Sequence, residues 1–169
     1  SLITRPLRDI VRENIFNLIR HGKNINVKIE KSNILDLYAG VGSFGIECIS
    51  RGANKVVFVE KNQIAFSILK ENITSLKLKD NVRLVPSDVN FFLEKNKHSF
   101  KFDIIFFDPP YKDNKFIDCI KILKDLDIIN KNHLIIIHRE KKANDSFKKL
   151  INVLFVKKYG RSQLIFGSF

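Results

Sequence analysis

"ILDLYAGVGSFG", residues 34–45, is the stretch on which the fold turns. Its first half is short, apolar and strand-like. Its second half satisfies G-x-G-x-x-G with Gly40, Gly42 and Gly45, the pattern of a strand that turns through a nucleotide-binding loop into a helix. An acid, Asp36, sits inside the strand half. The glycines alone do not separate a redox dinucleotide from another nucleotide-like ligand, so the rest of the chain decides.

Outward from that loop the chain alternates. Before it, residues 6–20 place Leu7, Ile10, Val11, Ile15, Leu18 and Ile19 on a helical stripe, with Pro6 suited to a first helical turn. After it come a helix to about Ser50, a strand "KVVFVE" ending on Glu60, and a helix from Asn62 with Ile64, Ile68, Leu69, Ile73 and Leu76 as its apolar face. "NVRLVP" and "FDIIFFD" are further strands, separated by a short helix "DVNFFLEKN". A helix over 114–126, a strand "HLIIIHR", and a short polar helix "KKANDSFKKL" follow. "VLFVKKY" and "SQLIFGS" close the chain as a hairpin around "GRS". Strands alternating with helices predict an α/β fold: a seven-stranded, mostly parallel sheet with helices on both faces. The terminal hairpin requires one antiparallel C-terminal strand. The helix at 6–20 must pack on the sheet, and residues 1–169 form a single domain.

At 169 residues the chain can bury a full core, hiding roughly 70% of its unfolded surface. No apolar run approaches the ~20 residues of a membrane helix. The first five residues already carry charge, so no signal peptide is expected, and Cys48 and Cys119 have no CxxC spacing, so two buried thiols in the cytoplasm are expected. Methionine is absent, an initiator included, so a trimmed N-terminus is expected. Thirty Lys and Arg against 18 Asp and Glu give +12, an excess that favours polyanions such as nucleic acid, though a Lys-, Asn- and Ile-rich background scatters lysines over solvated faces as well.

Ligands of an open parallel sheet collect at the C-terminal ends of its strands. Four successive strand ends carry acids: Asp36, Glu60, Asp88 and Asp108. Gly40 and Gly42 let the backbone approach a ligand. Glu60, twenty residues past Gly40, suits ribose hydroxyls. Asp88 suits an adenine amino group, and equally an N-cap for the helix it precedes.

"DPPY", residues 108–111, is the most specific element. Two prolines end the strand, fix φ and remove two N–H donors, leaving outward carbonyls, notably that of Pro109, beside the Asp108 carboxylate. This acceptor-only site fits an exocyclic amine: gripping its hydrogens frees the nitrogen lone pair to attack an electrophile. Tyr111 offers a face on which a base stacks.

"ILDLYAGVGSFGIECISRGA", "VVFVEKN" and "FDIIFFDPPY" together resemble the class I S-adenosylmethionine-dependent methyltransferases, Rossmann-like in fold. More narrowly, "TRPLRDIVRENIFNLI" and the closing "YGRSQLIFG" are similar to the RsmD family, which methylates guanine N2 in 16S ribosomal RNA. The resemblance covers about residues 4–168. It implies S-adenosyl-L-methionine as cofactor, held by Asp36, Gly40, Gly42, Glu60, Asp88, Val89, Thr4 and Arg5. It implies Asp108, Pro109, Pro110 and Tyr111 as the catalytic tetrapeptide, and ribosomal RNA or the small ribosomal subunit as partner. A monomer without metal is expected. Departures are Leu7 where a second Thr or Ser is usual, Asn14 where Ala is common, and no basic hairpin before "TRP".

Lys112, Lys115, Lys157, Lys158 and Arg161, near the tetrapeptide or the terminal hairpin, are the candidate RNA contacts. His21, His98, His133 and His138 have no metal spacing, and His138 reads chiefly as structural. Phe44 is the one phenylalanine close enough to the loop to touch a cofactor. Competing readings are amino-methylation of adenine N6 or of a protein glutamine, and, in other classes, an NAD-dependent oxidoreductase or a catalytically inert RNA-binding module.

Overall fold

Val56, Val57, Phe58 and Val59 of one strand and Ile104, Ile105, Phe106 and Phe107 of another are fully buried, so these strands are covered on both faces. The structure, a computed structural model, describes residues 9–78, 80–95, 100–110, 112–142 and 146–169. Among these, seven strands form one sheet: β1 (Asn33–Leu37), β2 (Lys55–Val59), β3 (Val82–Val85), β4 (Phe102–Phe107), β5 (Ile129–Glu140), β6 (Asn152–Tyr159) and β7 (Ser162–Ser168). Their order is β3-β2-β1-β4-β5-β7-β6. The pairs from β3 to β5 are parallel, whereas β7 is antiparallel to both β5 and β6. β7 alone therefore runs against the rest, as the terminal hairpin requires.

Among the described residues, five α-helices cover the two faces: α1 (Asp9–His21), α2 (Ser43–Ser50), α3 (Gln63–Ser75), α4 (Val89–Lys95) and α5 (Phe116–Asp125). On one face Val11, Ile15, Phe16 and Ile19 of α1 pack with Phe44 of α2, Leu69 of α3 and the strand residues Ile34, Phe106 and Ile136. On the other, Phe92 of α4 and Phe116 and Ile120 of α5 pack on Leu35, Ile105 and Ile137. The period-2 alternation of the strands divides one apolar run between two cores.

The elements differ from expectation in four places. α1 is described from Asp9, and residues 6–8 of the expected helix lie outside the described residues, so the first difference is in its buried face. Its buried face includes Phe16, while Ile10 is exposed. The buried stripe of α3 is Ala65, Leu69 and Ile73; Ile64, Ile68 and Leu76 face outward, because the helix contacts the sheet along a narrower line than its apolar content suggests. Of the polar stretch 141–150, residues 143–145 lie outside the described residues and Ser146–Lys149 form a 3-10 turn, while β5 starts four residues earlier than "HLIIIHR".

Candidate active site

The chain leaves β1 toward β2 and β3 on one side and returns to β4 and β5 on the other. The C-terminal ends of β1 and β4 are thus a topological switch point, where open α/β sheets bind ligands. Both "DLYAGVG" and "DPP" lie there.

On the β1 side, Asp36 is buried, and its Oδ2 accepts the Gly45 N–H at 3.0 Å, tying the strand to the first turn of α2. Burial pushes the carboxyl well above its ordinary range; the Gly45 N–H opposes this, and the nearby charges of Asp108 and Glu60 add to it. The register of β1 with β2 and β4 ends at Leu37, Val59 and Phe107, so Asp36, Glu60 and Asp108 stand at neighbouring strand ends. Asp36 Oδ1 is buried and accepts no hydrogen bond from the described residues. Leaving such an acceptor unmet costs about 1–3 kcal/mol, and a ligand donor relieves that cost.

The loop that follows is held in left-handed conformations. Tyr38, Gly40 and Gly42 have φ of 62°, 57° and 87°. A Cβ on Gly40 would meet nothing within 4 Å, whereas one on Gly42 would lie 2.4 Å from Leu69 Cδ1. Gly40 therefore leaves open space beside the backbone, and Gly42 lets the loop pack on α3. Of these two glycines, only Gly40 has open space on the side where a Cβ would stand. Glu60, at the end of β2, accepts the Gly40 N–H on Oε2 at 2.8 Å and the Asn62 N–H on Oε1 at 2.7 Å. Each oxygen keeps a further lone pair for hydroxyls.

On the β4 side, Asp108 N–H donates to the Leu37 carbonyl at 3.3 Å, so the two strand ends stay paired up to the prolines. The Pro110 carbonyl is not free, as the tetrapeptide alone suggested: it accepts from Asp113 N at 2.8 Å and from Arg139 Nη1 at 3.0 Å. The Pro109 carbonyl receives no hydrogen bond from a described residue. Asp108 Oδ1 lies 2.8 Å from His138 Nδ1.

Asp88 stands two strands from β1 and is exposed. Its Oδ1 caps α4 by accepting Asn90 N–H at 3.0 Å, and its Oδ2 pairs with Lys61 at 3.2 Å. The capping reading is thus realised, and the second oxygen faces solvent and a lysine. The Val89 side chain is packed in the core beneath α4. Phe44 is core as well, stacked on Phe16 and Phe106 at centroid distances of 5.5 and 4.2 Å. Lys112, Lys115, Lys157, Lys158 and Arg161 are all exposed. The register aligns Lys157 with Leu164 and Leu164 with His138, so the hairpin cations lie at the same end of the sheet as Asp108, on β6 and the turn into β7. Tyr111, Thr4 and Arg5 lie outside the described residues.

Three features carry no motif in the sequence. His138, structural by its sequence alone, meets Asp108, and its neighbour Arg139 meets Pro110. The strand-end position of His138 was the available signal. Cys119 is more than a small hydrophobe: its thiol donates to Asn90 Oδ1 at 2.6 Å and lies 3.4 Å from the Tyr38 hydroxyl. Burial is the main cause that raises both groups, the thiol to about 11.

Strand order 3-2-1-4-5-7-6, a glycine loop after β1 and acids at the strand ends define a class I, Rossmann-like methyltransferase fold. The Escherichia coli protein yhhF superposes with a TM-score of 0.80 at 25% identity, over 97% of this chain and 87% of that one. SMU.776, solved in complex with SAH, superposes at 0.73 over 94% of this chain and 49% of its own; at 18% identity this likeness is one of fold. The chain belongs to the RsmD family: the family model described as conserved hypothetical protein 95 matches residues 1–168. Among its relatives is ribosomal RNA small subunit methyltransferase D of Haemophilus influenzae, 33% identical over 138 residues, which cover 81% of this chain and 68% of that one.

Proposed function

We propose that this protein is a cytoplasmic RNA methyltransferase that uses S-adenosyl-L-methionine to methylate the exocyclic N2 of a guanine in 16S ribosomal RNA. The observation that carries the reading is the convergence of Asp36, Glu60 and Asp108 around the topological switch, beside a left-handed glycine loop and a double-proline turn. The cofactor's sulfonium supplies an electrophilic methyl group. The residues present fit it: the buried Asp36 Oδ1 awaits a donor such as an ammonium or a bridging water, Gly40 leaves its backbone open, and Glu60 keeps lone pairs for ribose hydroxyls.

The chain's own part in transfer is positioning. Asp108 and the Pro109 carbonyl accept the two hydrogens of the target amine and turn its lone pair toward the methyl, while Tyr111 stacks on a base flipped from its helix. Asp108 or water takes the proton released after transfer. Lys112, Lys115, Lys157, Lys158 and Arg161 hold phosphates at the rim without reading sequence. The protein acts as a monomer and needs no metal.

Calorimetry with S-adenosylmethionine, run beside NAD, tests the class. The expected result is micromolar affinity for S-adenosylmethionine, weakened at least tenfold in Glu60→Ala, and no heat with NAD. Loss of one charge-assisted contact at about 1.5–3 kcal/mol corresponds to that factor. Affinity for NAD with none for S-adenosylmethionine would reverse the assignment.

A further inference from the structure

His138 and Arg139 follow one another at the end of β5, and side chains of successive strand residues point to opposite faces of the sheet. The four residues before them, Leu134 to Ile137, are apolar and buried, feeding the two cores alternately. The strand then changes character without leaving the interior: His138 is 8% exposed and Arg139 is 1% exposed. Burying an imidazole and a guanidinium in succession carries a desolvation cost that further isoleucines would avoid.

What the two residues meet accounts for that cost. The turn at 108–110 is short of backbone donors, because Pro109 and Pro110 have no N–H; its backbone bonds are those of Asp108 N–H to Leu37 and of Asp113 N–H to the Pro110 carbonyl. β5, the neighbour of β4, adds two side chains to them. From the α1 face, His138 Nδ1 stands 2.8 Å from Asp108 Oδ1. From the opposite face, Arg139 Nη1 reaches the Pro110 carbonyl at 3.0 Å, with its guanidinium stacked 4.4 Å from the Phe116 ring centroid. The turn is gripped on both sides by adjacent residues of one strand.

We propose that His138 is a positioning residue for methyl transfer, holding the Asp108 carboxylate in the orientation that receives the target amine, with Arg139 holding the following Pro110. An ionised Asp108 requires a donor at Nδ1, so the imidazole carries its proton there. Oδ1 is thereby committed to β5. Oδ2, which no described residue bonds, is the oxygen turned to the amine. His138 acts through Asp108 and does not touch substrate. The inference rests on the methyltransferase reading given above.

The test uses single-turnover transfer from saturating S-adenosylmethionine to unmodified 16S rRNA transcript, naked and assembled into small subunits, with cofactor affinity measured in parallel. His138→Ala is expected to slow transfer about 30- to 100-fold, the scale of a misplacement near 1 Å, while the affinities for cofactor and RNA stay within about threefold. His138→Asn places an amide N–H close to the Nδ1 position and is expected to recover the rate to within about fivefold. His138→Gln, whose amide reaches the far side of the ring position, is expected to remain as slow as Ala. Transfer by His138→Ala at the wild-type rate overturns the inference and leaves the methyltransferase reading standing. So does a slow rate in all three variants that follows their losses in melting temperature, because a merely structural histidine behaves that way. A wild type that moves no methyl to either RNA form counts against the functional reading itself, and this inference falls with it.

Discussion

Gly40 and Gly42 look equivalent in the motif, but substituting each by alanine is expected to damage different properties. Both hold left-handed φ, at 57° and 87°. An alanine there costs about 1–2 kcal/mol from backbone strain alone. At Gly40 the new methyl meets nothing within 4 Å, so strain at the low end, about 1 kcal/mol, is the whole stability cost. At Gly42 the methyl falls 2.4 Å from Leu69 Cδ1 and 3.1 Å from Ile46 Cδ1. Those are side-chain ends that can give way, so overpacking adds about 1–2 kcal/mol. For a chain of this size, ~3 kcal/mol for Gly42→Ala lowers the melting temperature by ~6–12 °C, against ~2–4 °C for Gly40→Ala. Cofactor affinity should rank the other way. The Gly40 methyl occupies the open space beside Glu60, while the Gly42 methyl points into α3. Thermal unfolding and calorimetry on the two variants settle the comparison. Equal melting temperatures, or an unchanged affinity in Gly40→Ala, would refute the assignment of one glycine to the ligand and the other to packing.

Asp36→Asn should stabilise the protein at neutral pH while weakening cofactor binding. Burial holds the Asp36 carboxyl above its ordinary range, so the folded chain keeps this proton to higher pH than the unfolded chain. The group's contribution to stability is full below the unfolded value near 4 and is lost as pH rises through the raised folded value. Asparagine removes that loss and still offers an oxygen to Gly45 N–H; melting curves from pH 4 to 8 should show a variant advantage that grows with pH. Replacing Lys157, Lys158 and Arg161 together by Gln should weaken RNA binding and make its salt dependence shallower by about 2–3 in log–log slope, with cofactor affinity unchanged. An unaltered slope would remove the hairpin from the RNA surface. Cys119→Ala leaves Asn90 Oδ1 and the Tyr38 hydroxyl without their shared partner, and about 1–3 kcal/mol of stability should be lost, against less for Cys119→Ser, measured by urea unfolding.

The sheet was legible because strand ends, loop glycines and the terminal hairpin each carry a local chemical reason for their residues. Glu60 and Asp108 stand out as candidates because each is an acid directly after a buried strand, and Asp36 and Gly40 because they belong to the glycine motif at the end of β1. His138 does not, because its meaning depends on Asp108, thirty residues earlier, and only the pairing of β4 with β5 brings the two together. The α3 stripe misled because three of its five isoleucines and leucines are spent on an outward face. The role of Gly42 was hidden because a motif records that a side chain is absent and leaves open what fills the space.

The claim on which the account depends is transfer of methyl to guanine N2. The direct measurement is incubation with isotope-labelled S-adenosylmethionine and small subunits assembled on unmodified 16S rRNA, followed by nucleoside mass spectrometry of the RNA and counting of the protein fraction. Label is expected in N2-methylguanosine alone. Label in N6-methyladenosine or in ribosomal protein would contradict it.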